Sequence, residues 1–127
     1  MIHVQTVHHV AVNVTDLERA ERFYREVLGL EPVPRPHFAV AGTWYQLGDT
    51  QLHLIVYPPT HTLRGTTKVD IAEGHVALRV RSYAETVAHL KAHGVDMIDL
   101  PQNSTPWTQV YITDPDGNII ELNCDRA

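Results

Sequence analysis

The period of apolar positions changes along the chain, and each change predicts an element. From Val7 to Val14 the residues alternate, with Val10, Val12 and Val14 on one face and Val7, His9, Ala11 and Asn13 on the other. A period of two with β-branched residues predicts a half-buried strand. Thr15-Asp16-Leu17-Glu18 has the spacing of a capping box, which predicts Thr15 as the N-cap of a helix. Leu17, Ala20, Tyr24, Val27 and Leu28 follow at helical spacing, and Gly29 predicts the helix end. Pro32, Pro34 and Pro36 leave room only for an edge strand between Glu31 and Val40. Strands are predicted over Thr43 to Leu47 and Gln51 to Tyr57, separated by the turn Gly48-Asp49-Thr50.

The pattern then repeats. His75-Val76-Ala77-Leu78-Arg79-Val80 returns to the form of His9-Val10-Ala11-Val12-Asn13-Val14. Ser82-Tyr83-Ala84-Glu85 is a second capping box, Ala84, Val87, Ala88 and Leu90 form a helical stripe, and Gly94 ends it. Three strands follow, Val95 to Leu100, Trp107 to Thr113 and Ile119 to Cys124, with Asp114 to Asn118 as the last turn. The fold class is therefore α+β: two copies of strand–helix–strand–strand–strand in a single domain over residues 1–127. The first module spans about residues 1–58, the linker 59–73, and the second module about 74–127. A module of roughly 60 residues buries little core alone, so the two are expected to pair. Pro58 to Gly74, with His61, Arg64 and Lys68, reads as a plain connection, a lid being the alternative.

Composition narrows the function. The chain has 127 residues, 43% hydrophobic and 20% charged, which fits a globular domain and excludes a disordered one. A net charge of −5 argues against a nucleic-acid partner, which calls for a basic face. No apolar run approaches a membrane span, and Met1 to Val14 lacks the basic start of a signal peptide. The lone Cys124 excludes an internal disulfide and suits a reducing cytosol, so the expected location is cytoplasmic. The unusual count is nine histidines.

Strand parity says where some of them point. The valines of the first strand must cover the helix, which puts His9 on the other face. The same reasoning sets His53 opposite Leu52, Leu54 and Val56, and His75 opposite Val76, Leu78 and Val80. Glu121 stands opposite Ile120, Leu122 and Cys124. One strand histidine alone is more often a satisfied half-buried residue than a ligand. Four metal-capable side chains at repeat-related positions reverse those odds. Three imidazoles and one carboxylate suit one divalent ion, Zn, Ni, Co, Mn or Fe(II), and no organic cofactor is expected. Arg79 shares the face of His75 and is a candidate for holding a substrate carboxylate or phosphate. Trp107, Gln109 and Tyr111 share a face and are candidates for lining the site. Trp44 stands on a strand too short to fix its parity, and His37, His89 and His93 read as surface residues.

These residues carry a resemblance. His9-Val-Ala-Val-Asn-Val-Thr-Asp-Leu, Phe23-Tyr24 and Leu28-Gly29-Leu30 resemble the opening of the vicinal-oxygen-chelate superfamily. Gly74-His75-Val-Ala-Leu-Arg-Val resembles the start of its second module, and Asp114-Pro-Asp-Gly-Asn-Ile-Ile-Glu121-Leu its closing hairpin. The superfamily includes glyoxalase I, methylmalonyl-CoA epimerase, extradiol dioxygenases, fosfomycin-modifying enzymes and metal-free bleomycin-binding proteins. The resemblance implies paired βαβββ modules forming a U-shaped mixed sheet, a glyoxalase-like cup around a metal. It puts the ligands at His9, His53, His75 and Glu121.

The same resemblance implies a small metal-dependent lyase or isomerase. Its ion would chelate two neighbouring oxygens of a small-molecule substrate and stabilise an enediolate, with Glu121 or His53 as the catalytic residue that moves the proton. Glyoxalase I usually has a Glu where this chain has His53, which argues against ordinary methylglyoxal detoxification. One rival is an Fe(II) ring-cleaving dioxygenase using His9, His75 and Glu121. Another is a non-enzymatic protein that sequesters a small molecule. A homodimer is expected, since cups in this superfamily are often completed by two chains.

Overall fold

A computed structural model describes residues 1–57 and 63–126; residues 58–62, His61 among them, and Ala127 lie outside the described residues. The chain divides into two compact units, Met1–Leu63 and Arg64–Ala127.

The first unit runs β1 (His9–Val14), α1 (Leu17–Arg22), a π-helical turn (Phe23–Val27), β2 (Pro32–Val33), β3 (Gly42–Leu47) and β4 (Thr50–Val56). Its sheet has the order β1-β4-β3-β2, with β1 parallel to β4 and the other pairs antiparallel. The proline-rich β2 is the edge strand, as its missing N–H groups require. Val14, Ala20, Tyr24, Tyr45, Leu52 and Leu54 form the core.

The helix start corrects the sequence reading. The N-cap is Asp16, not Thr15. Asp16 is the extended residue, and its carboxylate accepts from the Arg19 N–H at 3.1 Å. The Thr15 hydroxyl instead accepts from the Arg19 guanidinium at 3.2 Å. A carboxylate serves the cap and the helix dipole together. The widened turn after Arg22 was also not foreseen; there Leu28 N–H reaches the Phe23 carbonyl at 3.3 Å.

The second unit repeats the plan: β5 (Val76–Arg79), α2 (Tyr83–Ala92), β6 (Ile98–Leu100), β7 (Trp107–Thr113) and β8 (Ile119–Asp125). The order is β5-β8-β7-β6, again with the first pair parallel. The α+β class and the internal repeat thus hold down to strand order. Ser82 caps α2, accepting from Glu85 N–H at 3.2 Å. β6 starts three residues later than predicted, because Val95 N–H still closes the helix end onto the Leu90 carbonyl at 3.0 Å. Leu90, Val110, Ile112, Ile119, Ile120 and Leu122 are buried.

The β7–β8 turn is held from inside by Asp114, whose carboxylate accepts from Asp116 N–H, Asn118 N–H and the Asn118 amide at 3.0, 2.9 and 2.8 Å. Part of the predicted linker packs here. Arg64 donates to the Gly117 carbonyl at 2.9 Å and pairs with Glu73, and Thr113 donates to the Thr67 carbonyl at 3.2 Å. Gly117 has φ of +88°, and a Cβ on it would collide with the Thr66 carbonyl. Among the described residues no helix is long and apolar enough to cross a membrane.

Candidate metal centre

In the second unit β8 lies between β5 and β7, and its register sets Ala77, Glu121 and Tyr111 side by side. Glu121 is only 4% exposed, so its charge needs partners. Tyr111 donates its hydroxyl to Oε1 at 2.8 Å and Gln109 its amide at 3.1 Å. Asn123 donates to Oε2 at 2.7 Å. Burial, the largest effect, pushes the Glu121 pKa up, but these three donors and nearby His75 together hold it below the usual carboxylate value. The reciprocal effect falls on Tyr111. Burial first, then its bond to Glu121, pushes the phenol up to about 12.

His75 stands beside this carboxylate with Nε2 3.4 Å from Glu121 Oε1. Its Nδ1–H donates to the Glu73 carbonyl at 2.8 Å, which leaves the Nε2 lone pair beside the carboxylate oxygen. Two acceptors so placed repel unless a positive charge, a proton or a metal ion, stands between them. A separation of 3.4 Å is also what two atoms each about 2.1 Å from one ion make at a nearly tetrahedral angle. An imidazole whose far N–H is tied to a backbone carbonyl is the usual form of a ligating histidine. The donor set of this unit fits a divalent cation.

In the first unit the corresponding row is Ala11, His53 and Trp44. His53 is buried, at 7% exposure, and its ring is stacked between two others. Trp44 lies 4.2 Å away at 5° and His9 4.2 Å away at 16°. A chain of amides fixes its tautomer. Gln46 donates to the Gly48 carbonyl at 2.8 Å, and Gln51 donates to Gln46 at 3.0 Å. Gln51 Oε1 is then left to accept the His53 Nε2–H at 2.8 Å, so the lone pair sits on Nδ1. Burial, then the neighbouring His9, His8 and Arg35, lowers the His53 pKa. His9 is exposed, with its Nδ1 2.9 Å from that of His8.

A metal lies in the plane of each imidazole that binds it. Nearly parallel rings stacked at 4.2 Å do not share such a point, so in this arrangement His9 and His53 do not both address one ion. Among the described residues neither unit gathers three or more His, Cys, Asp or Glu side chains into a metal cage. The candidate donors stand as a pair in each unit.

Residues 6–122 match the family model for the Glyoxalase/Bleomycin resistance protein/Dioxygenase superfamily. The chain belongs to this superfamily. It is 32% identical to the mitochondrial methylmalonyl-CoA epimerase of Bos taurus, over 91% of this chain and 72% of that protein. A glyoxalase family protein from Bacillus anthracis has the same fold, with a TM-score of 0.81, 25% identity and 99% of each chain covered. An antibiotic binding protein from Streptomyces sp. CB03234 is 29% identical, with a TM-score of 0.75, over 99% of this chain and 100% of that one. The fold is therefore glyoxalase-like, as the sequence motifs implied.

The remaining site candidates of this superfamily member fall into place unevenly. Gln109 and Tyr111 reach Glu121, as described. Trp107 opens β7 on the same face; its indole Nε1 is buried with no acceptor among the described residues. Arg79 is engaged elsewhere: it pairs with Asp125 at 2.6 Å, and its guanidinium lies 5.8 Å from the Trp107 ring centre. Two residues that shape the site were not singled out from sequence. Asn123 shares a strand face with Glu121 two residues on, a signal that was available. Gln51 carries the same relation to His53, two residues before it.

Proposed function

We propose that the protein is a divalent-metal-dependent isomerase or lyase that moves a proton on a carbon next to a carbonyl of a small substrate. The observation that carries this reading is the His75–Glu121 pair, an imidazole nitrogen and a carboxylate oxygen 3.4 Å apart, each side chain fixed by its own hydrogen bonds. The 32% identity to a methylmalonyl-CoA epimerase supports the reaction class. His75 and Glu121 would hold the ion in the second unit, while His9 and His53 stand together in the first. When bound, the ion supplies positive charge for two neighbouring substrate oxygens and for the negative charge left on the substrate when carbon loses its proton.

The chain's own side chains divide the rest of the work. Tyr111, Gln109 and Asn123 keep Glu121 ionised and oriented, which suits a ligand and makes it a poor proton acceptor. His53 suits the acceptor role. Its lowered pKa keeps the ring neutral at pH 7, Gln51 holds the Nε2–H, and Nδ1 is the atom that would take the proton. Stacking between Trp44 and His9 holds that ring still.

The test is elemental analysis of anaerobically purified protein, followed by incubation with methylmalonyl-CoA in D2O. One equivalent of metal per chain and metal-dependent loss of the α-proton signal in NMR are expected. Protein without stoichiometric metal would overturn the reading in favour of a small-molecule binding protein, which the likeness to an antibiotic binding protein supports. Stoichiometric iron with oxygen uptake on a catechol would favour the ring-cleaving dioxygenase.

A further inference from the structure

One cation in the first unit stands out by its lack of partners. Arg22, Arg25, Arg64, Arg79 and Arg81 each pair with a carboxylate. Arg35 has none among the described residues. Its single hydrogen bond runs from Nη2 to the Val40 carbonyl at 2.9 Å, and its Nε is buried without an acceptor. A guanidinium offers five N–H donors, so most of this one's capacity is unused.

Arg35 is nevertheless held in place. Its guanidinium carbon lies 4.7 Å from the centre of the Phe38 ring. Gly42 makes the room: a Cβ there would lie 2.9 Å from Arg35 Nη2 and would collide with the Leu54 carbonyl. Phe38 is 47% exposed and nearby Val40 48%, so part of the ring meets solvent. From Phe38 the rings continue inward. Phe38 to Trp44 is 6.0 Å, Trp44 to His53 is 4.2 Å, and His53 to His9 is 4.2 Å. An unpaired guanidinium, an exposed aromatic face and the proposed proton acceptor thus lie along one series of contacts.

We propose that Arg35, Phe38 and Trp44 form a substrate subsite for a flat molecule carrying an anionic group, the anion taken by the Arg35 guanidinium and the flat portion laid on Phe38 and Trp44. This proposal deepens the preceding reading and rests on it for the role of His53. The anion would accept from the terminal Nη groups of Arg35, its Nε being buried, and the flat portion would cover the exposed ring. Arg79, the cation that sequence parity offered for this purpose, is paired with Asp125 at the strand end.

The probe is naphthalene-2-sulfonate, an anion with little affinity for metal ions, compared with the neutral 2-(methylsulfonyl)naphthalene. Both are titrated by calorimetry into the full chain after treatment with chelator, so the result is independent of metal and turnover. The sulfonate is expected to bind about tenfold more tightly than the sulfone. Arg35→Gln should abolish that preference, Arg35→Lys should keep part of it, and Phe38→Ala should weaken both probes alike. Equal binding of the two probes by the unaltered protein would overturn the proposal with no mutant needed. So would an intact preference in Arg35→Gln, or the absence of binding by either probe. If the subsite binds as expected while metal analysis finds none, the metal-dependent reading fails and the subsite stands.

Discussion

The two units share a sheet order and a row across the middle of it, and differ in what fills the row. In both, an alanine on the first strand stands beside the central residue and an aromatic stands on its other side: Ala11–His53–Trp44 in one, Ala77–Glu121–Tyr111 in the other. The small alanine leaves the space above the sheet to the histidine two residues earlier, His9 or His75. From there the chemistry separates. Glu121 is an anion held by hydrogen bonds from three side chains, and the aromatic beside it contributes through its hydroxyl. His53 is a neutral ring held by stacking, and the aromatic beside it contributes through its face. One scaffold therefore holds a fixed carboxylate in one unit and a fixed imidazole in the other. A buried anion must be satisfied by donors, whereas a buried neutral imidazole needs one hydrogen bond and good packing.

This contrast is broken most directly at Glu121. Glu121→Gln and His75→Ala are each expected to reduce retained metal from one equivalent per chain to less than about a tenth. Elemental analysis after desalting measures this, and wild-type stoichiometry in either variant would remove the assignment of the second unit as the metal-holding half. His53→Ala is expected to act differently. Turnover should fall by about 100-fold or more, the range of a lost general base, with metal affinity only moderately weakened. Full activity in His53→Ala would show that the first unit's row does not move the proton.

Smaller effects sharpen the same division. Asn123→Ala removes the Oε2 donor and should weaken metal affinity by about tenfold, the lower end for a supporting hydrogen bond, with a stability loss of about 1–3 kcal/mol. Gln51→Leu frees the His53 tautomer and should lower turnover by about tenfold while leaving metal content unchanged. Paired metal titrations and rate measurements on the two variants decide this. If each variant moved both quantities alike, the units would not divide the work.

Much of this was legible because a strand has a period of two. Parity alone placed His53, His75 and Glu121 on the faces opposite their apolar neighbours, and the repeated motif doubled each inference. What parity cannot reveal is how side chains on one face turn toward one another. It grouped Arg79 with His75 and gave no sign of the pairing of Arg79 with Asp125 at the strand end. It left Trp44 undecided, and the register against His53 now settles that residue's row. The Thr15 cap failed because Thr15 and Asp16 both suit the role and adjacent candidates differ only in local backbone angles. Arg35 carried no periodic signal at all. It sits among prolines outside any strand, and its interest comes from a carboxylate it lacks.

The finest test uses two tyrosines, one in each unit, whose pKa values are both pushed up to about 12. For Tyr45 the causes are burial and then the Glu21 charge, partly offset by Arg25; for Tyr111 they are burial and then Glu121. A tyrosine whose folded pKa exceeds its unfolded value near 10 contributes stability that is fully present below pH 10 and is lost as the pH rises toward 12. Both should therefore ionise late in a titration of phenolate absorbance at 295 nm, close to the alkaline unfolding of the chain. Glu121→Gln removes the negative charge beside Tyr111 and leaves Tyr45 untouched. One of the two late phenols should then titrate at lower pH, though still above 10 because its burial persists, while the other stays in place. Tyr111→Phe identifies the phenol that moves. If Glu121→Gln shifts neither, the Tyr111–Glu121 bond does not set the electrostatics of the second unit, and the contrast between a charge-held row and a stacked row fails at its first contact.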